Sequence, residues 1–152
     1  MRTAAVVSIL LCIEGCGQPN PPPIKRLEIW ASGLEIQIDG QGRGFFQKRS
    51  TNQQGRFVLP LNRFAELRTR LEPFQRSDEA ISEGALREKL SKPCPHNYVT
   101  DQGGMTIHWS GPALDRWYWI DFGCDPKKNA AANKELKSIL SSLPVPEPDG
   151  LP

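Results

Sequence analysis

Two stretches, Arg26–Ala31 and Leu34–Asp39, alternate apolar and polar residues with period two, the pattern of half-buried β-strands. A two-residue turn at Ser32-Gly33 sets Leu27 opposite Ile38, Ile29 opposite Ile36 and Ala31 opposite Leu34, so all six apolar residues share one face. The other face collects Arg26, Glu28, Trp30, Glu35, Gln37 and Asp39. Gly40–Gly44 reads as a turn into a third strand at Phe45–Arg49, and Ser50–Gly55 as a polar connection to a fourth at Arg56–Leu59. The Gly-x-Gly-x-Gly spacing resembles a phosphate loop only superficially, because such a loop opens a helix and this one leads into Phe45-Phe46.

After Pro60 the period lengthens. Leu61, Phe64, Leu67, Leu71 and Phe74 step by three or four residues and predict an amphipathic helix over about 62–72 that Pro73 ends. A second helix, Asp78 to Leu90, takes Ser77 as N-cap and is weakened by Gly84. Tyr98–Thr100, Met105–Ser110 and Arg116–Phe122 read as further strands, and Asp125-Pro126 opens a last helix reaching about Ser142. A five-residue connection, Gly111–Asp115, gathers Met105, Ile107, Trp109, Trp117 and Trp119 on one face, a register favoured by burial. It sends Thr106, His108, Ser110, Arg116 and Tyr118 to the other face, beside Trp30 if the two hairpins share a sheet. Trp, Tyr and Arg are enriched at binding hot spots, so Trp30, Thr106, His108, Arg116 and Tyr118 form the candidate binding surface; the alternative is an ordinary solvated face. Strands then helices, twice over, predict one α+β domain across 26–143, an antiparallel twisted sheet with two to three helices packed on one face.

Length and charge narrow the functions. The chain's 152 residues suit one domain. Its 19 Lys+Arg against 17 Asp+Glu, with no basic run longer than two, lack the electrostatic footprint of nucleic-acid binding, so nucleic acid is not an expected partner. Four prolines lie in 19–23 and four in 144–152, which reads as a stiff tether over 16–25 and a disordered tail over 144–152.

Residues 1–15 have the layout of a secretory signal peptide: Arg2, an apolar run from Ala4 to Ile13 broken only by Ser8, then a small residue. The run is too short to span a bilayer. Ile13-Glu14-Gly15-Cys16 resembles the lipobox of bacterial lipoproteins. That resemblance, confined to residues 1–16, implies cleavage after Gly15, lipidation of Cys16 and a membrane partner reached through acyl chains. Gly17 follows the cysteine where an Asp, in such lipoproteins, implies retention in the inner membrane, so the resemblance implies the periplasmic leaflet of the outer membrane.

With Cys12 in the signal and Cys16 lipidated, Cys94 and Cys124 remain, an even pair in an oxidising compartment, and a disulfide is expected. A metal site from Cys94, His96, Cys124 and His108 is the rival, but one residue separates Cys94 from His96 and no second close pair exists. A hydrolase needs nucleophile, base and acid; the nearest set is Ser110, His108 and Asp121, which the register above puts on opposite faces. His108 lies in no evident charge cluster, and no nucleophile elbow, phosphate loop or cofactor motif occurs. The expectation is a non-enzymatic binding or structural module without cofactor or metal, whose partner is an envelope protein or cell-wall component. The alternative is a periplasmic hydrolase-like enzyme whose site the sequence does not assemble.

Overall fold

The computed structural model describes residues 23–95 and 97–150, so the signal, Cys16, most of the tether and His96 lie outside the described residues. Along the chain run β1 (Arg26–Ala31), β2 (Leu34–Asp39), β3 (Arg43–Lys48), β4 (Gln53–Val58), α1 (Leu61–Arg76), α2 (Glu83–Leu90), β5 (Gly104–Gly111), β6 (Leu114–Asp121) and α3 (Ala130–Ser141). The strands form one antiparallel sheet in the order β4-β3-β2-β1-β5-β6. This is the expected α+β architecture, with β1 joining the two hairpin units.

The β1–β2 register follows the hydrophobic alternation, with Leu27, Ile29 and Ala31 opposite Ile38, Ile36 and Leu34. Ser32 and Gly33 both have positive φ (37° and 79°), the backbone that lets a two-residue turn match the twist of its strands. Gly44 and Gly55 have a packing reason to be glycine. Each lies beneath an aromatic ring of the neighbouring strand, Phe57 over Gly44 and Phe46 over Gly55, where a methyl group would collide with the ring.

One face of the sheet carries the core. Leu27, Ile29, Ile36, Ile107 and Trp109 meet Phe64, Leu67 and Leu71 of α1 and Leu136, Ile139 and Leu140 of α3. Leu86 of α2 is buried but stands outside that cluster. The chain reaches α2 through Ile81, whose backbone exchanges hydrogen bonds of 2.8 and 2.9 Å with Trp117 on the outer side of β6. The outer side of β4 pairs with no other described strand. Among the described residues no helix is long and apolar enough to cross a membrane.

Several local expectations give way to packing. The β5–β6 connection is the two-residue Pro112-Ala113, pairing Met105 with Ile120 and Ile107 with Tyr118, one residue out of the register expected from burying tryptophan. Tyr118, Ile120 and Leu114 satisfy the core instead. The first helix runs on past Pro73, because Phe74 packs edge-on against Tyr118 at 5.3 Å and Gln75 is buried, holding the last turn despite the backbone hydrogen bond that proline cannot make. The second helix begins only at Glu83, after the segment that pairs with β6, and its flanking residue is Ser82 rather than Ser77. Tyr98 makes a single bridge to Cys124 rather than a strand. Asp125 adopts φ 46° instead of capping a helix, and the last helix starts at Ala130.

The body is also larger than expected at both ends. Ile24, assigned to the tether, packs on the core, and Lys25 donates to the Ser110 carbonyl at 2.8 Å. Residues 144–150, expected as a disordered tail, lie along the sheet: Val145 packs on the core, Asp149 N–H donates to the Ser32 carbonyl and Lys48 Nζ reaches Asp149 at 3.0 Å. Hydrogen bonds from Ser50 and Lys48 hold the Asp149 carboxyl below its usual range.

Cys94 and Cys124 form a disulfide with Cα atoms 5.6 Å apart, closing a separation of 30 residues. Beside it, Val99 N–H donates to the Gly123 carbonyl and Asp125 N–H to that of Asn97, so the loop before β5 is tied to the β6–α3 junction by covalent and hydrogen bonds together. Cys94→Ala is expected to lower the unfolding free energy by roughly 2–5 kcal/mol under oxidising conditions, with no further loss when reductant is added to the variant; chemical denaturation measures both. Tyr118, only 4 % exposed, has its phenol pushed up to about 12 by burial and then by the Glu79 carboxylate. Its raised folded-state value means that its stabilising contribution is complete below the unfolded value of 10.0 and is lost as pH climbs toward 12. Tyr118→Phe should flatten the decline in unfolding free energy over that alkaline window.

Candidate functional site

The face turned away from the core, here the open face, is ordered in rows by strand pairing. One row reads Glu35, Trp30, Thr106, Trp119 across β2, β1, β5 and β6. The next reads Gln37, Glu28, His108, Trp117, and a third Asp39, Arg26, Ser110, Asp115. Neighbours within a row stand close enough for their side chains to interact directly.

His108 is the hub. Its Nδ1 lies 2.8 Å from Glu28 Oε2 and its Nε2 2.8 Å from Asp115 Oδ1. Carboxylate oxygens only accept, so both contacts are hydrogen bonds when each ring nitrogen carries a proton. His108 and Glu28 side chains are each 13 % exposed, whereas Asp115 is 69 % exposed, so the Glu28 contact is the better shielded of the two. The Trp117 ring stacks on the clamped imidazole, 3.8 Å between centroids at 10°, and Trp30 stacks on Trp117 at 5.6 Å and 12°. Three parallel rings thus stand on two carboxylates. The Trp117 indole N–H is buried with no partner among the described residues.

Beyond Trp30 the face opens into a cavity of about 340 Å³ between Trp30 and Trp119, with Thr106 between them and the Ser32-Gly33 turn and Gly104 at its end. Glu35 and Arg49 line it and pair at 3.8 Å. Lys89 of α2 places its ammonium 6.0 Å from the Trp119 ring. A second concavity, about 500 Å³, occupies the β3–β4 half and is lined by Arg26, Asp39, Arg43, Phe45, Arg56 and Val58, among others. There Asp39 is held below the usual carboxylate range: partial burial would raise it, but the Arg43 side chain at 2.7 Å and the Arg43 and Gln41 backbone N–H groups outweigh that.

Of the residues expected to form a surface, the structure brings Trp30, Thr106 and His108 together. Arg116 and Tyr118 are on the core face instead: Tyr118 is buried, and Arg116 turns toward the Ser77 carbonyl at 3.3 Å. The one-residue change of register that removes them delivers Trp117 and Trp119 to the open face. It also places Asp121 on the same face as His108, contrary to the parity expected. No hydrolytic triad results, since Asp121 lies two rows away and accepts the Gly123 N–H, Ser110 Oγ donates to the Arg26 carbonyl, and both nitrogens of His108 are engaged by carboxylates. The sulfurs of Cys94 and Cys124 are bonded to each other. Glu28 and Asp115 went unrecognised in the sequence, although Glu28 stands on the polar side of the best-defined strand. Reading Pro112-Ala113 as a two-residue turn would have set Asp115 opposite Ser110, beside His108.

Comparison of the chain with protein-family models, with curated proteins and with solved structures finds no match.

Double-mutant cycles on the clamp should separate its two arms. Glu28→Gln with His108→Ala is expected to show a coupling of about 1–3 kcal/mol, as for a shielded, hydrogen-bonded pair. Asp115→Asn with His108→Ala should show under about 1 kcal/mol, as for an exposed one. Equal couplings would mean that the two arms are equally solvated.

Proposed function

We propose that the chain is a bacterial envelope lipoprotein, anchored through Cys16 to the periplasmic leaflet of the outer membrane, whose α+β body is a non-enzymatic binding module for an envelope component. The observation that carries the binding role is the His108–Trp117–Trp30 stack, a set of large rings spent on the face away from the core. Trp30 and Trp117 are only partly exposed, yet both stand on the face away from the core, where full burial of a large apolar side chain would stabilise the fold by about 1.5–3 kcal/mol; keeping two indoles there favours a surface kept for a ligand. The likeness of Ile13–Cys16 to a lipobox supports the anchor, and the four prolines in 19–23 support a tether after it. Against a hydrolase stands His108 itself, whose two nitrogens are both taken up by carboxylates, so that neither faces a hydroxyl nucleophile.

Two measurements test the parts separately. Mass spectrometry of the mature N-terminus should find acylated Cys16, and an unmodified chain still beginning at Met1 would refute the anchor. Sedimentation of the full chain carrying Cys16→Ser, which cannot take the acyl anchor, with purified envelope fragments should be lost on adding Trp30→Ala or Trp119→Ala and kept on adding Leu61→Ser, which alters an exposed residue of α1. Retention unchanged by both tryptophan substitutions would remove the open face from the function.

A further inference from the structure

We infer that the trough between Trp30 and Trp119 is a glycan site that takes a pyranose ring between the two indoles. The inference rests on the open face being the binding surface and names the ligand class. Trp30 has one side against Trp117, so the side it offers to a ligand is the one lining the trough. Trp119 lines the trough two interstrand steps away, roughly 9–10 Å along the sheet, and the residue between them is the small Thr106. Two aromatic walls over a narrow floor select a flat ligand with apolar faces.

The rim dictates the ligand's edge. Glu35 and Arg49 lie 3.8 Å apart and largely cancel in charge, while offering acceptors and donors side by side; the Thr106 hydroxyl adds one more group of each kind. A ligand whose apolar faces are ringed by hydroxyl groups meets every one of these features without needing a charge, and a pyranose is such a ligand. Cationic ligands are disfavoured by the Lys89 ammonium over Trp119 and by Arg49. Anionic ligands would compete with Glu35 for Arg49. The volume of about 340 Å³ suits a small-ligand site. The larger arginine-lined concavity is the weaker candidate, because Arg43 is already bonded to Asp39 and Arg26 lies near Glu28.

The test uses the full mature lipoprotein in detergent micelles, titrated with β-1,4-linked hexasaccharides of glucose and of N-acetylglucosamine and with peptide-free glycan strands from sacculi. Tryptophan fluorescence should change saturably with at least one of the three. Trp119→Ala should weaken that binding roughly tenfold or more, the scale of losing one stacking platform, and Trp119→Phe should retain most of it. Thr106→Trp, which fills the trough from its floor, should abolish it while circular dichroism reports an intact fold. No saturable response to any of the three glycans overturns the inference, as does binding indifferent to Trp119→Ala. Envelope retention that still depends on Trp30 and Trp119 but is lost when the envelope is treated with protease would assign the face to a protein ligand, overturning the glycan and leaving the binding face standing. Loss of both dependences would overturn the two together.

Discussion

The pairing of β1 with β5 is the constraint from which the sheet and its open face both follow. It joins segments nearly 80 residues apart, so its loop-closure entropy is met only by what the pairing buries. Leu27, Ile29 and Ala31 meet Trp109, Ile107 and Met105 with almost no exposure, and large apolar side chains contribute about 1.5–3 kcal/mol each on full burial. Side chains alternate strictly along a strand, so the register that closes the core also fixes the reverse face. Glu28 then has to stand opposite His108, and Trp30 opposite Thr106.

Order passes outward along that face from charge to ring to ring. Two carboxylates orient the imidazole, the imidazole supports Trp117, and Trp117 supports Trp30 at the wall of the trough. A side chain held in this way has already surrendered its rotamer freedom before any ligand arrives, which lowers the entropic cost of binding. Glu28 does not line the trough, yet it governs the posture of a residue that does. From the opposite edge, α2 lends Lys89 to Trp119 without joining the core.

How far the sequence could be read depended on how local the deciding interactions were. The β1–β2 hairpin was legible residue by residue, since its turn, alternation and burial agree. The disulfide was legible because reading Cys12 and Cys16 as parts of a lipobox-type signal left Cys94 and Cys124 as an even pair. The β5–β6 hairpin was not: Trp109, Trp117 and Trp119 form an apolar set that burial alone would place on one face, and nothing in that segment says that two of the three belong outside. Only the two-residue turn at Pro112-Ala113 separates the alternatives. The same slip misplaced Arg116 and Tyr118 and concealed Asp115. Glu28 could not be recognised as a partner of His108 without knowing that β1 lies beside β5. Pro73 was a sound stop signal that the contact between Phe74 and Tyr118 overrode.

The two borders of the sheet are unlike, and this limits how copies of the chain can join. The outer side of β6 is interrupted at its middle by Ile81, whereas β4 presents its backbone unpaired, fringed with the polar Gln53, Gln54 and Arg56. A cross-β filament requires every molecule to accept a neighbour on both sides. With a single free border among the described residues, strand-to-strand joining between two molecules uses up the border of each and ends there. Self-association by this route is therefore closed at the pair.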